Sequence, residues 1–303
     1  MENFSIKIFS IFSIVFFHLI LWSLFSPCWS QIRFNRAMPI SQTQWIFRLD
    51  EQIGRSADTN GTISRDLMSY RTSFLGVYGV TDRLALFLEL PIVVNDFKLS
   101  PAGVERTSAG LGDMSLMARY TVFSWNRMFK TIRISPFVSL EMPTGQDDDY
   151  DQYGRIPQNL QPGSGGWDPS VGLAFLYEDL RFQVPISLSY KYNQEANGFQ
   201  FGQQVEADIT AKFRIYPFYL TNGMPSFLFL GVKSHTVWRD QDSGFDPYFL
   251  SQSGWTSHMA PIIQWIAKRY LLEAMFMFPI VEDLNPGRLE NDWNFVFGGS
   301  VNF

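Results

Sequence analysis

From Gln42 to the C-terminus, apolar and polar residues alternate with a period of two, and no other feature of the chain limits its fold as tightly. Val205, Ala207, Ile209, Ala211, Phe213 and Ile215 interleave with Gln204, Glu206, Asp208, Thr210, Lys212 and Arg214. Successive side chains of a strand point to opposite faces, so this order makes one apolar face and one charged face in a strand, whereas a helix would mix them. Phe182 to Tyr192 and Ile132 to Met142 repeat it. The pattern predicts twelve strands, over residues 42–53, 67–79, 84–94, 113–123, 130–143, 169–178, 181–193, 203–216, 226–238, 254–266, 270–280 and 292–303.

The connections alternate between short turns and longer stretches, 54–66, 95–112, 144–168, 194–202, 239–253 and 281–291, rich in Gly, Asp, Asn, Ser and Pro. An even strand number with short periplasmic turns and longer outer loops is the signature of a bacterial outer-membrane barrel. A soluble barrel or sandwich also alternates. These strands, however, reach the roughly 9–11 residues a tilted membrane strand needs. Aromatic residues form 17% of the chain although mean hydropathy is only -0.05. They recur near strand ends, at Trp45, Tyr78, Tyr120, Trp125, Trp238, Trp255, Trp265 and Trp293, where headgroup-level girdles need amphipathic rings. The expected fold is therefore all-β: a transmembrane up-and-down antiparallel β-barrel of about twelve strands, over residues 42–303, in the bacterial outer membrane.

Residues 1–30 read as a cleaved signal peptide: Lys7, an apolar run from Ile8 to Phe25, then Ser26, Pro27 and Ser30. The competing reading is a retained anchor helix, because the run nears the roughly 20 residues that span a bilayer. No other stretch resembles a transmembrane helix, which favours the signal peptide. Residues 31–41 follow as an N-terminal periplasmic segment. Cys28 is the only cysteine and falls within the leader, where Pro27 fits a lipid-attachment signal badly. The mature chain then has no disulfide, and sheet hydrogen bonding must hold it together. Losing Glu2 and Lys7 leaves the formal charge at -5, which gives no reason to expect a nucleic-acid partner.

Four stretches together resemble one family. They are Tyr78-Gly79-Val80-Thr81-Asp82-Arg83, Gly110-Leu111-Gly112-Asp113 with the strand after it, Pro143-Thr144-Gly145, and Gly163-Ser164-Gly165-Gly166-Trp167-Asp168-Pro169-Ser170. The pattern is similar to that of the outer-membrane proteins of the MetA pathway of phenol degradation, a family of transporters. The resemblance implies a barrel that takes up small aromatic or other hydrophobic compounds. The acidic run Asp147-Asp148-Asp149 and Asp151 departs from the family's loop pattern.

On this topology Asp113, Thr144, Trp167 and Asp168 meet at the outer ends of neighbouring strands and form a mouth, with Trp167 offering a face on which a ring could stack. The plainer reading is that Asp and Gly end strands because they suit turns. Arg119, Arg133, Glu141, Glu206, Asp208, Lys212 and Arg214 fall on the inward face, with His235 and His258. Mixed charges there suit either a wet lumen or a salt-bridged plug. The acidic runs at Asp147 to Asp151 and Asp240 to Gly244 lack a calcium-loop frame and read as solvated loops, so no metal and no cofactor is expected. No nucleophile motif accompanies the two histidines, so no enzymatic activity is expected. The expected function is a passive channel for small aromatic or hydrophobic solutes, with outer-membrane lipid, lipopolysaccharide and the barrel-assembly machinery as further partners. A non-conducting structural or surface-binding barrel is the alternative. The last strand ends on Phe303, as assembly signals of such barrels do.

Overall fold

The structure, a computed structural model, describes residues 40–60, 63–219, 226–245, 247–248, 250, 253–284 and 289–303. The expected signal peptide lies outside the described residues, as does all of the 31–41 segment except Ile40 and Ser41.

In chain order the first strands are β1 (Trp45–Asn60), β2 (Ile63–Gly79), β3 (Leu84–Ser100), β4 (Val104–Leu111), β5 (Met114–Tyr120), β6 (Phe123–Arg127) and β7 (Lys130–Met142). Two short strands, β8 (Tyr150–Asp151) and β9 (Gly154–Arg155), precede β10 (Asp168–Asp179), β11 (Phe182–Lys191) and β12 (Phe199–Gln200). The rest are β13 (Gln204–Tyr216), β14 (Ser226–Arg239), β15 (Ser243–Gly244), β16 (Gly254–Ala267), β17 (Tyr270–Leu284) and β18 (Asn291–Asn302). Twelve of them, β1, β2, β3, β5, β7, β10, β11, β13, β14, β16, β17 and β18, pair antiparallel in a ring. β18 closes it on β1, where the Trp45 N–H donates to the Phe303 carbonyl at 3.2 Å and the Phe303 N–H to the Trp45 carbonyl at 2.9 Å. The number of strands and the antiparallel order are those the alternation predicts.

The strand limits are not. β1 and β2 stay paired out to Asn60 and Ile63, and β3 and β4 out to Leu99 and Val104, so two of the expected outer loops are hairpin extensions. Beyond the bilayer both faces of a hairpin meet water, so the apolar alternation fades while the hydrogen bonding continues. The expected fourth strand, 113–123, divides at Thr121 into β5 and β6, which both pair with β7.

The faces follow the sequence. In β13 Ile209 and Ile215 are exposed on the outside, while Glu206, Asp208, Lys212 and Arg214 are buried inside. Tyr190, Val205, Trp238 and Trp255 stand opposite one another on successive strands as part of an outer aromatic row. Trp45 with Tyr78, and Trp265 with Leu272, belong to the row at the rim of the short turns. Trp255 and Trp265 lie ten residues apart on β16. At a rise of ~3.3 Å per residue and a tilt of about 40° they are about 25 Å apart along the membrane normal, the height of an outer-membrane apolar band.

The interior has three levels. At the periplasmic end Ile40 packs with Ile46, Val77, Phe87, Met117, Phe137 and Leu176, so the chain before β1 turns into the barrel. A charged level follows. Arg48 bridges Asp50 at 2.6 Å and Glu273 at 3.4 Å, and Lys212 lies 3.8 Å from Glu273. Asp208 is bound by Lys233 at 2.9 Å and His235 at 2.8 Å. At the outer end Leu67, Phe97, Ile156, Leu160, Leu250 and Leu289 form an apolar cap.

Candidate functional site at the outer mouth

The segment between β7 and β10 contains Ile156 and Leu160, isolated apolar side chains in a polar run. Burying them against Leu67 and Phe97 draws the loop into the mouth instead of letting it stand in water. The loop folds as the β8–β9 hairpin followed by a 3-10 turn at Gln158–Leu160. The turn is fixed at its last residue: Asn95 Nδ2 donates to the Leu160 carbonyl at 2.8 Å, and Ser108 Oγ donates to the same oxygen.

Two further anchors hold the loop. Arg106 Nε and Nη2 each reach an Asp151 oxygen at 2.7 Å, a fork geometry that only a guanidinium supplies. That pairing holds the Asp151 carboxyl below the ordinary carboxylate range. Asp113 joins the two legs: the Gly145 N–H donates to one carboxylate oxygen at 2.9 Å and the Ser164 N–H to the other at 2.6 Å. Burial nevertheless pushes the Asp113 carboxyl above its ordinary value, with the two N–H groups pulling the other way. A Cβ on Gly145 would come within 2.7 Å of the Gly112 carbonyl carbon and 2.8 Å of Gly163 Cα. Glycine is therefore required here because three backbones converge, and not for the turn expected from the motif.

Beneath the loop lies a cavity of about 120 Å³. Asp113, Glu141, Asp168 and Glu206 line it together with Arg71, Lys191 and Arg239, while Val93, Pro162 and Phe201 add apolar wall. Lys191 bridges Glu141 at 2.9 Å and Asp168 at 3.4 Å, and Arg71 bridges Glu89 at 3.0 Å. Asp168 also accepts the Gln194 N–H at 2.9 Å, which orders the neighbouring loop.

Of the four residues expected at the mouth, Asp113 and Asp168 meet in the cavity. Thr144 is exposed, and its hydroxyl accepts the Met114 N–H at 2.9 Å, closing the β5–β7 end. Trp167 does not line the cavity. It is 49% exposed and shares its parity with the outward Pro169 and Val171, as a girdle ring does. Of the lumen set, Glu141 and Glu206 line the cavity, and Asp208 and Lys212 belong to the charged level below. Arg119 lies over the Phe87 ring at 5.0 Å and Arg214 over Phe227 at 5.6 Å, both cation–π contacts. Arg133 is partly buried on the inward face of β7. His235 and His258 stand opposite each other on β14 and β16 with ring centroids 6.2 Å apart. Arg106, Asn95 and Asn159 were not expected at the mouth. Only the lone Ile156 and Leu160 in a polar loop signalled that this segment folds inward.

Over residues 48–247 the chain matches the family model described as "Putative MetA-pathway of phenol degradation". No curated protein matches it in sequence. Among solved structures, an outer-membrane channel from Pseudomonas putida F1 superposes with a TM-score of 0.62 at 15% identity, over 90% of this chain and 100% of that one. The translocator domain of the autotransporter NalP from Neisseria meningitidis gives 0.43 at 9% identity, over 87% and 90%. The monoaromatic hydrocarbon channel CymD gives 0.38 at 11% identity, over 86% and 89%.

Proposed function

Because the chain belongs to the MetA-pathway phenol-degradation family and is a barrel of the bacterial outer membrane, we propose that it is a passive conduit for small phenol-like aromatic solutes, admitted through the cavity under the 143–167 loop. The cavity carries this reading. Its volume of about 120 Å³ is close to the ~150 Å³ of an engineered cavity that accepts benzene, so it has room for one ring. Its walls combine Phe201 and Val93 with polar groups, which fits a ring bearing a polar substituent. The channel role carried by the Pseudomonas putida protein of the same fold is extended here to this chain.

The inward side chains below the cavity are buried, and the lumen there is filled, so passage requires the loop and the charged level to shift. Asp113→Asn tests this, because it keeps the shape but leaves one loop N–H facing an amide donor. Raised phenol flux into liposomes relative to the parent, with the barrel still folded, is the expected result. No phenol flux above that of protein-free liposomes in parent or variant, with no conductance step in planar bilayers, refutes the conduit.

The paired charges of Arg48, Glu273, Lys212, Asp208 and Lys233 favour the second reading, a non-conducting barrel whose outer surface binds lipopolysaccharide or a partner. In either case lipid covers the apolar belt, and the strand ending at Phe303 is offered to the barrel-assembly machinery.

A further inference from the structure

We infer that Asn159 selects solutes in the mouth, favouring a neutral ring that carries a hydrogen-bonding group over a bare hydrocarbon ring or a carboxylate; the inference rests on the conduit reading above. Asn159 sits in the 3-10 turn that Asn95 and Ser108 fix through the Leu160 carbonyl, so its position is set by groups that are themselves buried. Its side chain lines the cavity at 4% exposure, and both Oδ1 and Nδ2 are buried without a hydrogen-bond partner. Among the described cavity-lining side chains it alone has this property. Buried polar atoms without partners are rare in folded proteins, and two on one carboxamide of a cavity-lining side chain mark a group whose partner arrives from outside.

The neighbouring charges decide what that partner is. Lys191 is engaged by Glu141 and Asp168, Arg71 by Glu89, and Arg239 by the Gln204 side-chain oxygen at 2.9 Å, so an ionised guest must displace a bonded partner in a buried setting beside four carboxylates. A hydroxyl needs no such exchange: once the carboxamide turns toward the guest, it can donate to Oδ1 or accept from Nδ2 while its ring lies against Phe201 and Val93. A bare ring fills the same space but leaves the carboxamide unpaired, the situation in which polar sites discriminate most strongly.

The test uses the mature protein in detergent, with phenol, benzene and benzoate as probes at neutral pH and binding followed by ligand-observed NMR. Asn159→Leu keeps the branched shape and heavy-atom count and removes both polar atoms. Because the Asn159 side chain makes no hydrogen bond, the variant should fold, and heat-modifiable migration verifies it. The expected result is that phenol binds the parent better than benzene or benzoate. In the variant its affinity falls about tenfold, the factor one hydrogen bond supplies, while benzene is unaffected. Equal effects on phenol and benzene, or none on either, overturn the inference. Tracer uptake of the same solutes, taken above that of protein-free liposomes, separates it from the conduit itself. Asn159-dependent binding without permeation removes the conduit and keeps the selector, whereas permeation at the parent rate in Asn159→Leu removes the selector and keeps the conduit.

Discussion

Single residues show how strictly the two faces of the wall are divided. Ile209 is exposed on the lipid side of β13, and its neighbours in sequence, Asp208 and Thr210, are buried inside. Ile209→Arg puts a cation into hydrocarbon and should cost about 2–4 kcal/mol near the bilayer midplane, whereas Ile209→Val should cost well under that. A reversible refolding titration into lipid vesicles measures both. Equal stability of the two variants would mean that β13 is not lipid-facing at this position. The same scale explains why Asp113 and Thr144, from two motifs expected to meet at the mouth, differ in importance. Asp113 receives two N–H groups from opposite legs of one loop, while Thr144 receives one at an exposed strand end.

At the scale of elements, the loop from β7 to β10 is held over the cavity by the Arg106–Asp151 ion pair, the Asp113 staple and the bonds of Asn95 and Ser108 to the Leu160 carbonyl. The Asp151 carboxyl, held below its ordinary range by Arg106, supports seating fully above that range and loses its effect as pH falls through the lowered value. Hydrogen-exchange protection factors of residues 147–162, taken relative to the intrinsic rate at each pH, should therefore be high at neutral pH and fall on acidification below the ordinary carboxylate range. Arg106→Ala should remove roughly 1–3 kcal/mol of seating at neutral pH and abolish most of that pH dependence. Exchange that is equally slow in parent and variant would place the anchor elsewhere, in the apolar contacts of Ile156 and Leu160.

For the molecule as a whole, closure depends on β18 meeting β1, and the last hydrogen bonds of that seam are the exchanged pair between Trp45 and Phe303. The Phe303 ring also approaches Phe47 edge-on, with centroids 6.0 Å apart. Deleting Phe303 removes both contacts from the strand expected to close last. Heat-modifiable barrel in the outer membrane should fall several-fold, while export across the inner membrane continues. A yield equal to that of the parent would show that closure does not depend on this residue.

The alternation of side chains was enough to establish a twelve-stranded barrel with charges inside, because a membrane makes the same demand at every residue it touches. Residues such as Ile209, Trp255 and Trp265 carry that demand one at a time. The resemblance carried by the glycine motifs was enough to indicate the family. The sequence alone did not show how far the hairpins rise beyond the bilayer, since water on both faces leaves no pattern behind. Nor did it show that Trp167 faces outward, because the side on which a strand's first residue emerges depends on the register of its neighbours. The mouth was decided by tertiary structure: Arg106, Asp151, Asn95 and Asn159 lie far apart in the chain and meet only because Ile156 and Leu160 must leave water. Burial of two apolar side chains set the position of the polar groups around them, and no local spacing records that.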